Sequence, residues 1–223
     1  SGIERYALNI SKEMILNDSN NTYVLLFKNK VHKSFMDIVN EINVNYKVIK
    51  GSNKLIFNQI LLPIHLYKIK ADIYLFLAFP VTIIFMKRNI VTAIHDIGYW
   101  DCPSTMKTSS RIYFRISIRL AILKCKAIVT ISKFSKERIV NKLHYDPDKI
   151  WIIYCANSDV FMQEEVDNRN VAEKYELPHR YLLSLSTLEP RKNLKLLINA
   201  YVELVNEKKI DVEGDKTVKD LLQ

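Results

Sequence analysis

The sequence predicts an α/β fold built on a doubly wound parallel sheet, and three observations carry that prediction. Strand-like and helix-like segments alternate along the chain, as parallel strands require, because each return to the sheet needs a crossover. The strand-like runs are short and continuously apolar, the pattern of strands covered on both faces. Composition, with 48% hydrophobic and 26% charged residues in a chain of 223, is that of a globular protein able to bury a sizeable core.

Taken in order, Ile3 to Met14 places apolar residues at 3, 7, 10 and 14, a helical spacing. Tyr23 to Phe27 is a short apolar strand, Ser34 to Ile42 reads as helix, and Tyr46 to Ile49 as strand. Leu55 to Lys70 is a helix interrupted by Pro63, since proline has no N–H for the helical ladder. Asp72 to Leu77 and Ile90 to Ile94 are buried strands. A long helix follows from Thr108 to Lys124, then a strand Ala127 to Ile131, a helix Phe134 to Leu143 and a strand Lys149 to Ile153. Only four glycines are present, so the turns rely on Asn, Asp, Ser and Pro. Between Met162 and His179 the apolar runs give way to Gln163, Glu164, Glu165, Asp167 and Arg169, which marks a linker over 163–179 between a domain at 1–162 and a second at 180–223. Within the second domain a strand, Tyr181 to Leu185, and a helix, Leu194 to Val205, are clear.

Composition also excludes. Cys102, Cys125 and Cys155 lack CxxC spacing, which fits neither a disulfide framework nor a zinc site, and no metal ligand set is expected. A reducing cytosol is the simplest setting. The apolar run Ile73 to Met86 contains Pro80 and is too short to span a bilayer, which takes roughly 20 residues as a helix. The formal charge of +9 implies attraction to phosphate-bearing partners. Nucleic acid ranks last among these, because the basic residues are not interleaved with aromatics in any recognised module.

Five segments are weighed for candidate chemistry. Thr187-Leu188-Glu189-Pro190-Arg191-Lys192-Asn193 lies between the apolar run at 181–185 and a helical pattern. A turn entering a helix aims free N–H groups and the positive end of the helix dipole at one spot, and Arg191 and Lys192 add charge suited to a phosphate or pyrophosphate. His95-Asp96 ends the strand Ile90 to Ile94, at the carboxyl edge where α/β proteins bind ligands. There His95 can hydrogen-bond a substrate while Asp96 biases its tautomer or orients the loop; equally, Asp96 only caps the loop beside a satisfied ring. Ser132 and Ser135 stand where helix-start N–H groups need acceptors, so capping is their default role. Ile153 to Phe161 reads as a plain exit loop. In the helix Thr108 to Lys124, Arg111, Arg115 and Arg119 form a cationic stripe, with Ile112, Ile116, Leu120 and Leu123 on another face. Such a stripe is either a solvated face or a contact to an anionic membrane or to an acceptor.

In this order the segments resemble the retaining nucleotide-sugar glycosyltransferases of the GT-B fold, of the glycosyltransferase family 4 type that includes bacterial mannosyltransferases. The resemblance runs from Gly2-Ile3-Glu4-Arg5-Tyr6-Ala7 through Thr92-Ala93-Ile94-His95-Asp96 and Ile131-Ser132-Lys133-Phe134-Ser135 to Thr187–Asn193. It implies two Rossmann-like domains facing across a cleft, the first holding a carbohydrate or lipid-linked acceptor and the second a nucleoside diphosphate sugar. Gly2 would let the backbone approach the donor phosphates, and His95 would contact the donor sugar near the reacting carbon while Asp96 holds its loop. Arg191 and Lys192 would neutralise the pyrophosphate, with no cofactor and no metal.

The family's pair of glutamates, separated by seven residues in the second domain, has no counterpart, and the strand expected before Gly2 is absent. The resemblance therefore implies an enzyme of surface polysaccharide synthesis truncated in its C-terminal domain and inactive alone, cytoplasmic or peripheral at the inner membrane face. The alternative is a non-catalytic acceptor-binding module or subunit whose second domain a partner chain completes.

Overall fold

The computed structural model describes residues 2–78, 81–156, 173–176 and 181–207. It divides into two units, Ser1–Cys155 and Ala156–Gln223. Most of the expected linker, and residues 157–161 of the exit loop, lie outside the described residues.

The first unit has the expected α/β order. Helix α1 (Gly2–Leu16) leads to β1 (Tyr23–Lys28), which pairs in parallel with β2 (Val44–Ile49). A helical run follows, made of α2 (Lys54–Ile56), a π turn (Phe57–Leu61) and α3 (Leu62–Lys68). Then come β3 (Tyr74–Phe76), β4 (Ile90–Ala93), the short α4 (Gly98–Asp101), α5 (Thr108–Lys124), β5 (Cys125–Thr130), α6 (Lys133–Leu143) and β6 (Ile150–Ile152). Strands β3 to β6 form a parallel sheet in sequence order, and β1–β2 form a separate ladder. Leu26 of β1 nonetheless packs into the core built by Leu66, Tyr74, Phe85 and Ile90.

The winding is double because neighbouring strand residues face opposite layers. On β5, Ile128 packs with Ile118 of α5, Ile139 of α6 and Ile150 of β6. The next residue, Val129, packs with Tyr6 and Ile10 of α1 and with Ala93 of β4. One helix thus covers one face and two cover the other.

Three expected elements differ. Ser34 to Ile42 forms only a 3₁₀ turn (Lys33–Phe35) and a run of turns, through which Ile38 and Val39 still reach the core. Three β-branched residues and an Asn in so short a segment give a helix little to set against its nucleation cost. The helix expected over Leu55 to Lys70 begins at Lys54, ends at Lys68 and widens to a π turn just before Pro63, where the Leu62 N–H bonds the Phe57 carbonyl. Pro63 is buried and accommodated near the start of α3. Tyr181 to Leu185 adopts no strand: Leu182, Leu183 and Leu185 are exposed, without a ladder partner among the described residues to turn an apolar run into a strand. In that second unit a 3₁₀ turn (Pro190–Lys192) enters α7 (Leu194–Asn206).

The turn from α1 into β1 is held by Asp18, whose carboxylate accepts from the Tyr23 hydroxyl at 2.6 Å, the Asn21 amide at 2.6 Å and the Asn20 N–H at 2.9 Å. These bonds, Tyr23 first, lower the Asp18 carboxyl from 3.8 to about 2. A lowered carboxyl pKa stabilises the fold above its unfolded value, and that contribution is lost as pH falls from about 4 towards about 2. In acid titrations followed by circular dichroism, Asp18→Asn should flatten the loss of stability across that window. Ile128, fully buried, should cost about 2–5 kcal/mol on Ile128→Ala, read as a shift in the urea midpoint, while half-exposed Ile116→Ala should stay within about 0.5 kcal/mol.

Candidate functional site

The carboxyl ends of β3, β4 and β5 bring His95, Asp96, Ser132 and Ser135 together. His95 stands two residues beyond β4, half-buried. Its Nε2 lies 3.0 Å from the Leu77 carbonyl oxygen, just past β3. A carbonyl can only accept, so Nε2 carries the proton and Nδ1 of the neutral ring is left as an acceptor. The ring meets Tyr6 of α1 edge to face, with centroids 4.7 Å apart and planes at 84°. The tautomer is therefore set by the Leu77 carbonyl and not by Asp96. Asp96 is exposed, and its Oδ1 accepts from the Gly98 N–H at 3.0 Å, so it orients the loop into α4.

Two further contacts fix His95. The Ile94 N–H bonds the Val129 carbonyl at 2.9 Å, which ties the end of β4 to β5. The Ser135 hydroxyl donates to the His95 carbonyl at 2.8 Å while Ser132 caps α6 by accepting from the Ser135 N–H at 3.1 Å. Capping was the expectation for these serines; the grip of Ser135 on His95 was not. Tyr6 and Thr130 each place a buried hydroxyl at this edge without a hydrogen-bond partner among the described residues. Burial, with the nearby Cys155 thiol second, raises the Tyr6 phenol above its ordinary pKa. The three cysteines are free thiols, and burial pushes Cys125 up to about 12.

At the end of β3 opens a cavity of about 570 Å³, within the range of small-ligand sites, whose lining includes Leu77 but not His95 itself. Leu26, Leu62, Phe76, Leu77 and Phe114 give it apolar walls, and Lys54, Gln59, Thr82 and Tyr113 give it polar points. Gln59 spans two walls: its amide donates to the Tyr113 hydroxyl at 2.7 Å and its Oε1 accepts from the Ile83 N–H at 2.9 Å. No motif in the sequence marks this cavity. Its lining comes from segments far apart, so only the fold assembles it.

The other expected residues lie elsewhere. Gly2 is the first residue of α1, and a Cβ built there meets nothing within 4 Å. Nothing among the described residues requires a glycine there. The cationic stripe of α5 turns towards the α4 segment. Arg111 donates to the Pro103 carbonyl at 3.3 Å, and Arg115 donates to the Tyr99 carbonyl at 2.7 Å and lies over the Trp100 ring, which ties both to the α4 segment. Arg119 is exposed. On the neighbouring face Ile112, Ile116 and Leu123 are exposed, and α5 buries Ser117, Ile118, Ala121 and Lys124.

In the second unit, Arg191 and Lys192 fall in the 3₁₀ turn and Lys192 is exposed. Asn193 is left-handed at φ 50° and ψ 40°, a conformation that Asn tolerates better than most residues, and α7 starts without a side-chain cap. The expected turn into a helix is therefore present, without the strand before it. Among the described residues no three His, Cys, Asp or Glu side chains gather to hold a metal ion, and no helix is long and apolar enough to cross a membrane.

The sequence pattern of the family described as Glycosyltransferase Family 4 matches residues 1–156. O-antigen chain mannosyltransferase B of Escherichia coli is 32% identical over 116 residues, 51% of this chain and 30% of that protein. O-antigen chain mannosyltransferase RfbU of Salmonella typhimurium is 28% identical over 116 residues, 51% of this chain and 31% of its own length. Serotype-specific mannosyltransferase WbdA of Escherichia coli is 30% identical over 81 residues, 35% of this chain and 10% of that protein. These matches thus span about a third or less of each relative. With its parallel α/β unit, its carboxyl-edge histidine and a family pattern covering most of its length, this chain belongs to Glycosyltransferase Family 4.

Proposed function

We propose that the chain serves transfer of a sugar, mannose first among candidates, from a nucleoside diphosphate sugar to a carbohydrate or lipid-linked acceptor of a surface polysaccharide, with retention at the anomeric carbon. The observation that carries this reading is the cavity at the carboxyl edge of β3, joined to His95 through Leu77, in a family 4 unit. The mannosyl choice rests on the names of the three relatives.

In this reading the cavity receives the acceptor, with Gln59, Tyr113 and Lys54 meeting its hydroxyl or phosphate groups. His95, held by Leu77, Tyr6 and Ser135, presents Nδ1 as an acceptor for a sugar hydroxyl near the reacting carbon. Asp96 keeps the His95 loop in place through Gly98. Gly2 leaves room for the donor phosphates at the start of α1. Arg191 and Lys192, on the turn into α7, stabilise the charge that develops on the departing diphosphate, as fixed cations and helix N–H groups do, with no cofactor and no metal assigned a role.

A second reading, an acceptor-binding module or subunit completed by a partner chain, draws on the exposed side chains of Leu182, Leu183, Leu185 and Leu188. Apolar side chains gathered along one exposed segment mark a surface that something covers. Sedimentation decides it: self-association or capture of a completing chain, lost on Leu183→Ser with Leu185→Ser, supports this reading, and a strict monomer removes it.

For the transferase reading, mass spectrometry of acceptors incubated with nucleoside diphosphate mannose should show one added hexose. His95→Ala should lower kcat about 10²-fold, the loss typical of one hydrogen-bonding group at a reacting centre, and Lys192→Ala should raise the donor KM more than it lowers kcat. If no nucleotide sugar supports transfer to any carbohydrate or lipid-linked acceptor, the reading fails.

A further inference from the structure

The outward faces of the helical run Lys54 to Lys68, of the segment 82–88 and of α5 share two properties. They are apolar, and they are free of acids. Ile56, Ile60 and Ile64 recur every four residues on the helical run, and each is about half exposed. Ile84 and Met86 stand out from the connecting segment, and Ile112, Ile116 and Leu123 from α5. On α5 the stripe 112, 116, 119 and 123 follows helical spacing, so Arg119 sits among these apolar side chains.

The three segments are bound to one another. Gln59 links the helical run to Tyr113 of α5 and to the Ile83 N–H. The Tyr67 hydroxyl donates to the Ile84 carbonyl at 3.1 Å and accepts from the Met86 N–H at 2.7 Å. The Lys124 ammonium, buried in α5, donates to the Ile83 carbonyl.

Charge completes the pattern. No Asp or Glu occurs between Glu41 and Asp72, between Asp72 and Asp96, or between Asp101 and Glu137. Residues 42–136 hold fifteen Lys and Arg against three Asp, an excess larger than the whole chain's +9. Lys68, Lys70, Lys87, Arg88, Lys107, Arg119 and Lys126 are exposed on or beside these segments.

We infer that this surface docks on an anionic lipid bilayer, with the isoleucines entering the headgroup and acyl boundary and the cations meeting lipid phosphates. Apolar side chains at helical spacing ringed by unopposed cations are what such an interface takes up. A solvated protein surface would intersperse acids among these cations, and a neutral apolar partner would gain nothing from them. The membrane contact thus lies on the isoleucine face, while Arg111, Arg115 and Arg119 all reach the α4 segment. Lys54 and Leu55 belong both to the helical run and to the cavity lining, so the docked face adjoins the cavity. Docking does not depend on the transfer reading, and a failure of either leaves the other standing.

Co-sedimentation of the full chain with vesicles tests it. Vesicles rich in phosphatidylglycerol should carry the protein down, and neutral phosphatidylcholine vesicles should not. Raising salt from about 0.05 M to 0.5 M should weaken the binding, as screening of lipid charge requires. Ile60→Glu with Ile116→Glu should lower partitioning about tenfold or more, and Lys87→Glu with Arg88→Glu should lower it on anionic vesicles. Phe134→Glu, exposed on α6, is the control that should leave it unchanged. Circular dichroism checks that each variant folds. The inference is overturned by absence of binding to anionic vesicles, by binding indifferent to both pairs of changes, or by a dimer that those changes dissociate.

Discussion

Everything in the first unit depends on β5 being covered on both sides. Ile128 and Val129 are adjacent in sequence and face opposite layers, one towards α5 and α6 and the other towards α1. A parallel strand in this position cannot have a wet face, because its crossovers lay helices over it. The same strand also supplies the carbonyl that ties down the end of β4 and the residue, Thr130, that closes the carboxyl edge. The layers that bury the sheet therefore also place His95.

The histidine is held mainly through its ring and its own backbone. Leu77 fixes the tautomer, Tyr6 limits ring rotation, and Ser135 reaches from the next helix to grip the His95 carbonyl. Each partner comes from a different element, so α1, the loop after β3 and α6 must be docked before the ring has a fixed direction. A ring held in this way would have little reorganisation left to do on meeting a ligand.

Much of this was legible in the sequence. The strands β3 to β6 stand out because continuous apolar runs bounded by polar turns have few other uses, and His95-Asp96 draws attention by standing at the end of one. Ser132 announces a helix start. What was hidden is hidden for physical reasons. Ser135 carries a cap-like signature, and its second bond spans forty residues. Tyr6 and Gln59 act through partners that no local pattern names. The core side of α5 was not legible because it uses Ser117, Ala121 and Lys124 beside Ile118, so the greasiest stripe is not the core stripe. Tyr181 to Leu185 has the letters of a strand, but a strand exists only where another accepts its hydrogen bonds.

The π turn at Phe57–Leu61 shows what an extra residue does inside a helix. There the chain makes one turn with a surplus position, and α3 continues beyond it about 100° out of step with the phase that α2 sets. That offset turns Pro63 and Leu66 to the core while Gln59 keeps its hold on Tyr113. Removing one residue would give a more regular helix and a worse protein, since Leu66 would swing out of the core. In this segment insertions and deletions are steering changes, and relatives that differ in length here would have to present a different wall to whatever the cavity holds.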